Sequence, residues 1–105
     1  MKPIRYETEA EDELLSAVYW YEAREDGLGN RFLASIKAAE TSIQHAPEAW
    51  QLVPGTRPRQ PPLRRKVVDG FPYLVVYLEL ETEIRVLAIA HSKRRPNYWR
   101  HHSRR

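Results

Sequence analysis

The chain is expected to fold as an α+β domain of order β-α-α-β-β-β, a helical hairpin packed on one face of a largely antiparallel sheet. Three observations predict this. The first half holds two stretches with apolar residues at helical spacing, joined by the short link "GLGN"; the second half holds three stretches rich in β-branched and aromatic residues; and an Asp-Gly pair separates the first two of those. Each helix then has one apolar stripe to bury, and a two-layer arrangement against the sheet buries both while leaving the other sheet face available to something else.

The elements follow in order. "PIRY" at residues 3–6 reads as a short opening strand. "TEAEDELLSAVYWYEARED" follows as a helix: Thr8 with Glu11 three residues later has the form of a capping box, and the acidic first turn suits the positive end of the helix dipole. Leu14, Val18 and Tyr21, with Ala10, Ala17 and Leu15 beside them, make its apolar face. Gly27 is expected to end this helix, and the link is short enough that the next one folds back antiparallel. In "NRFLASIKAAETSIQHA" the stripe is Phe32, Ile36, Ala39 and Ile43, and Pro47 prevents continuation.

Residues 46–62, "APEAWQLVPGTRPRQPP", carry five prolines and one glycine, so they are expected to form turns and extended pieces; a loop this long is often functional, and it bears Arg57 and Arg59. Strands are expected at 63–68, 71–80 and 83–90. The first two are joined by Asp69-Gly70, a strong hairpin signal, and the last two through "ETE". Strict alternation puts Leu63, Arg65 and Val67 opposite Arg64, Lys66 and Val68, and puts Ile84, Val86, Ala88 and Ala90 opposite Arg85, Leu87, Ile89 and His91.

With 105 residues and 42% hydrophobic content, residues 1–105 fit one domain with one core. Without cysteine, disulfides, thiolate chemistry and Cys-based zinc sites are excluded. No apolar run approaches the roughly 20 residues of a membrane span, so a soluble cytoplasmic protein with no membrane partner is expected. The charge is unevenly spread: residues 1–50 hold ten Asp/Glu against five Lys/Arg, a net −5, while residues 51–105 hold four against twelve, a net +8. Such a basic half suggests a polyanionic partner, nucleic acid or an acidic protein segment; a solvated surface is the plain alternative. The end of the chain, "AIAHSKRRPNYWRHHSRR", concentrates that charge beside a Tyr-Trp pair and contains no acidic residue.

"FPYLVVY", a further strand and "HSKRRPNYW" together resemble the signature of the RelE/ParE superfamily, the toxins of type II toxin-antitoxin systems. The resemblance covers nearly the whole chain, including both helices, the "GLG" link and the Arg-bearing strand before "FPY". It implies a compact toxin neutralised by a cognate antitoxin protein. Members similar to ParE poison DNA gyrase and are not enzymes; members similar to RelE cleave mRNA on the ribosome as metal-free endoribonucleases. His91, Arg94, Pro96, Tyr98 and Trp99 are closer to the ParE form, so a ParE-like gyrase inhibitor is the first expectation, a RelE-like ribonuclease the alternative, and a family member that has lost toxicity a third.

Metal-free RNA cleavage needs a base for the 2′-hydroxyl, cations for the developing phosphorane-like charge and an acid for the leaving oxygen. The candidates for a nuclease site are Arg64, Arg65, His91, Arg94 and Tyr98. By resemblance, Arg64 or Arg65 occupies the place of a phosphate-binding arginine and Tyr98 lies near a C-terminal tyrosine. The candidates for nucleic-acid or target binding are Arg57, Arg59, Lys66, Lys93, Arg95 and Trp99. The proline-rich loop has arginines where RelE-like nucleases have lysines, which argues against nuclease activity. Each candidate also has a purely structural role open to it. His91 can bond the backbone at the strand end, Tyr98 and Trp99 can cap the core or pack on Pro96, Tyr73 and Tyr77 can serve sheet packing, and residues 100–105 can form a flexible solvated tail. His45, Glu48 and Asp69 lack metal-ligand spacing, so no metal and no cofactor is expected.

Overall fold

Phe32, Ile36 and Ile43 are wholly buried along one side of a helix, and Ala10 and Ala17 are buried on another. These stripes place the helical hairpin on the sheet. In a computed structural model describing residues 1–55, 57–94 and 98, the elements are β1 (Ile4–Tyr6), α1 (Thr8–Arg24), α2 (Leu28–His45), β2 (Gln51–Leu52), β3 (Leu63–Val67), β4 (Tyr73–Glu79) and β5 (Ile84–His91). The sheet order is β1-β5-β4-β3-β2, antiparallel throughout except that β1 runs parallel to β5. The expected α+β order is therefore present, with one short strand, β2, added from the proline-rich loop. Among the described residues no helix is long and apolar enough to cross a membrane.

Several local expectations are corrected. Thr8 is the first residue of α1, preceded by Glu7, and no side-chain bond caps the helix, so the capping box is not formed. Leu15 is 46% exposed because the core-facing stripe runs through Ala10, Leu14, Ala17, Val18 and Tyr21. Gly27 does not end α1, which stops at Arg24; with φ of 86° it turns the chain into α2. There the Glu22 carboxylate of α1 accepts hydrogen bonds from the backbone N–H groups of Gly27 and Gly29, so a side chain from the preceding helix meets donors that a helix start leaves unpaired.

Two apolar clusters lie on opposite faces of the sheet. Beneath the helices Val68, Val75, Tyr77, Ile84, Val86 and Ile89 pack against Phe32, Ile36 and Ile43. On the other face Val53, Leu63, Val76, Leu78, Leu87, Ala88 and Ala90 pack together, with Tyr98 against them. The strict alternation expected along β5 fails at a β-bulge. Val76 pairs with Ala88 but Tyr77 pairs with Val86, which leaves Leu87 as the extra residue. From that point the faces exchange, so Ile89 joins Ile84 and Val86 under the helices while Ala88 and Ala90 turn to the open face.

Candidate functional site

The open face carries a cavity of about 360 Å³ where the ends of β3, β4 and β5 meet the turn at Val53–Gly55. Leu74 and Ala90 give it an apolar floor, and Arg65, His91, Ser92, Arg94 and Tyr98 supply its polar groups. A second cavity of about 640 Å³ lies on the helix side, between α1 and the end of β5, walled by Trp20, Tyr21 and Tyr73 and bordered by Asp12 and Glu13. His91 and Arg94 line both, so the end of β5 is the partition between them.

Neighbouring arginines of β3 are separated by the pleat. Arg64 pairs with Tyr77 and so lies on the helix face, where its Nη1 donates to the Trp50 carbonyl at 2.8 Å. Lys66 is on the same side, its ammonium 4.6 Å from the centre of the Trp50 ring. Trp50 is itself anchored, its indole N–H donating to the Ser42 carbonyl at 3.1 Å. Arg64 and Lys66 therefore bind a structural tryptophan and do not reach the open-face cavity. Arg65, opposite Val76, faces that cavity, and its Nε donates to Gln51 Oε1 at 2.9 Å. Arg57 and Arg59 are exposed in the loop and do not line the cavity.

His91 accepts a hydrogen bond at Nδ1 from the Lys93 N–H, 3.1 Å, and its ring stands edge-on to Tyr73 at 5.2 Å between centroids. Its carbonyl accepts from the Arg94 N–H at 3.0 Å, closing the turn that leaves the strand. Both bonds are those of a strand-end histidine that organises backbone. Lys93 is exposed on the turn. Tyr98 is half-buried, and its hydroxyl donates to Glu13 Oε2 at 2.5 Å. Burial, foremost, and that bond to a carboxylate push the phenol pKa far above its ordinary value. Tyr98 is thus held as a hydrogen-bond donor. The Arg94 guanidinium lies 4.0 Å over the Tyr98 ring and its Nη1 is 4.0 Å from Glu13 Oε2.

Of the residues singled out in the sequence, Arg65, His91, Arg94 and Tyr98 are brought together around one cavity. Arg64 and Lys66 are taken to the other face, and Arg95 and Trp99 lie outside the described residues, as do Pro96 and the tail at 100–105. Glu13 was missed. It stands among five acidic residues of α1, and only partners 76 and 85 residues away distinguish it. Among the described residues no group of three His, Asp or Glu side chains is gathered as metal ligands.

A family model described as the ParE toxin of type II toxin-antitoxin system, parDE, matches residues 4–96. No curated protein matches significantly in sequence. A chain in the solved structure of the chromosomal ParDE TA system from P. aeruginosa has a TM-score of 0.67 at 17% identity, the match covering 89% of this chain and 98% of that one. At that identity the likeness speaks to the fold alone.

Proposed function

The chain belongs to the ParE toxin family of type II toxin-antitoxin systems, and from this premise we propose that it inhibits growth by binding DNA gyrase and is neutralised by a cognate antitoxin. The observation that carries the binding reading is the state of the proton-transfer candidates. The Tyr98 hydroxyl is spent on Glu13, His91 Nδ1 is engaged by the Lys93 N–H, and Arg64 is tied to the Trp50 carbonyl on the opposite face. What the cavity offers is two guanidinium groups beside the engaged His91 and Tyr98, over an apolar floor. That composition suits recognition of a protein or nucleic-acid surface better than acid-base chemistry.

Expression of the chain alone in growing cells tests the target. DNA breaks that disappear with a gyrase variant resistant to the toxin, together with intact mRNA, are the expected result; mRNA cut on the ribosome without such breaks overturns it. The convergence of Arg65, Arg94 and Tyr98 on one cavity favours the ribosome-dependent ribonuclease as the second reading, since a phosphate-binding arginine beside a tyrosine is what that activity needs.

The antitoxin is expected to present an acidic segment complementary to the basic half of the chain, and to cover apolar as well as charged surface. Wrapping of that kind commonly buries more than about 2,000 Å². Its gene should lie beside this one, and the two proteins should co-purify. A neighbourhood encoding no small protein that binds the chain counts against the proposal.

A further inference from the structure

Glu13, in the second turn of α1, gathers three groups from the far end of the chain. Its Oε1 accepts the Ile89 N–H at 3.0 Å, its Oε2 accepts the Tyr98 hydroxyl at 2.5 Å, and the same oxygen lies 4.0 Å from Arg94 Nη1. The side chain is only 16% exposed. The bond to Ile89 ties the carboxylate to the backbone of β5, a rigid element between β1 and β4. With one oxygen anchored there, the other is aimed in a set direction across the end of the strand. Tyr98 comes over that end with its ring against the open-face cluster and its hydroxyl on Glu13, and Arg94 stacks on the ring. A contact this direct between α1 and the C-terminal segment is not needed to build the core, which the two apolar clusters already close.

We propose that Glu13 is a positioning residue: it sets the pose of the Tyr98–Arg94 pair at the partition between the two cavities, so that α1 controls how the C-terminal basic segment meets the target. The proposal rests on the reading above, in which Arg94 engages the target. The physical reason is preorganisation. An arginine beyond a strand end otherwise samples many rotamers, and ordering it at the moment of binding weakens binding. Glu13 and the Tyr98 ring hold it beforehand, while engaging only part of a guanidinium that carries five donors. The remaining donors serve an anionic or carbonyl group of the target.

The experiment compares the full chain with Glu13→Ala, Glu13→Gln, Tyr98→Phe and Arg94→Ala, using Glu11→Gln, exposed on α1, as a control for loss of one acidic charge from the same helix. Two quantities are read: the inducer dose giving half-maximal growth inhibition at matched soluble protein, and the ultraviolet phenolate titration of the purified chains. Glu13→Ala should raise the dose about tenfold or more, the scale of one lost buried hydrogen bond to a charged group, and Glu11→Gln should leave it unchanged. Glu13→Gln keeps groups that bond both Ile89 and Tyr98, so its loss should be smaller. In the titration Glu13→Ala should let one more tyrosine ionise at lower pH, and that change should vanish in the Tyr98→Phe background. Full toxicity of folded Glu13→Ala, or a titration that does not respond to it, overturns the positioning role. Full toxicity of Arg94→Ala overturns the target-binding reading and removes the premise, whatever the titration shows. Should Glu13→Ala not fold, Glu13→Gln carries both readouts, and a toxicity and titration identical to the natural chain count against the proposal.

Discussion

Arg64 and Arg65 are adjacent and chemically identical, yet the pleat gives them different work. Arg64 donates to the Trp50 carbonyl beneath the helices, and Arg65 stands over the open-face cavity. Arg64→Ala is therefore expected to cost stability, about 1.5–3 kcal/mol for a hydrogen bond from a charged donor, while toxicity at equal folded protein is kept. Arg65→Ala should do the reverse, keeping the urea midpoint and weakening growth inhibition. A denaturation curve and a growth assay on the two variants check both, and a toxicity loss confined to Arg64→Ala contradicts this division. Tyr98 makes a related point. From the sequence, Tyr98→Phe looks mild for a binding protein because the ring is kept, but the hydroxyl is the tether to Glu13, so the substitution removes a contact under either functional reading.

At the scale of elements, the helical hairpin is closed by Gly29 and Glu22. A Cβ at Gly29 would stand 2.8 Å from the Val18 carbonyl oxygen and 3.1 Å from the Glu22 Cβ, so the α1 backbone itself blocks a larger residue. Gly29→Ala should destabilise the chain by roughly 1–3 kcal/mol, as overpacking does. It should also loosen the bonds from Gly27 and Gly29 to Glu22, visible as faster amide exchange at the start of α2. Normal stability in Gly29→Ala would mean that the helices separate freely. The bulge at Leu87 matters in the same way for the sheet. It places Ile89 under the helices, with its N–H reaching Glu13, and places Ala88 and Ala90 on the open face.

Over the whole molecule, three half-buried or buried tyrosines tie distant parts together: Tyr6 donates to Glu40, Tyr77 to the Pro47 carbonyl and Tyr98 to Glu13. Burial is the main cause that raises the pKa of each, with the carboxylates adding to it for Tyr6 and Tyr98, and Tyr77 is pushed up to about 12. A folded-state pKa above the unfolded one means that the unfolded chain loses its protons first as pH rises. The contribution of these groups is then fully present below the ordinary tyrosine value of about 10 and is lost above it, for Tyr77 over the window up to about 12. Unfolding free energy should accordingly fall between about pH 10 and about pH 12 by up to about 1.4 kcal/mol per pH unit for each such group. Urea unfolding across that range checks it, with Tyr77→Phe reducing the slope; a slope unchanged by that variant counts against Tyr77 as a contributor.

The amino-acid sequence alone determined the elements other than β2 and their layering, because the signals are local: the stripe Phe32, Ile36, Ala39 and Ile43 repeats at the helical period, Asp69-Gly70 turns the chain between two strands, and Pro47 stands two residues past the end of α2. It also showed the basic half and the family signature that runs through "FPYLVVY" and "HSKRRPNYW". Only the tertiary structure decided which basic residues share a surface. A single extra residue in β5 exchanged the faces of Ile89, Ala90 and His91, and the pleat of β3 sent Arg64 and Arg65 to opposite sides. Glu13 is the clearest case: its partners are 76 and 85 residues away in the chain, and nothing in the run of acidic residues around it distinguishes it. A periodicity is written in neighbouring residues, whereas a hydrogen bond between α1 and the far end of the chain exists only once the sheet has placed them side by side.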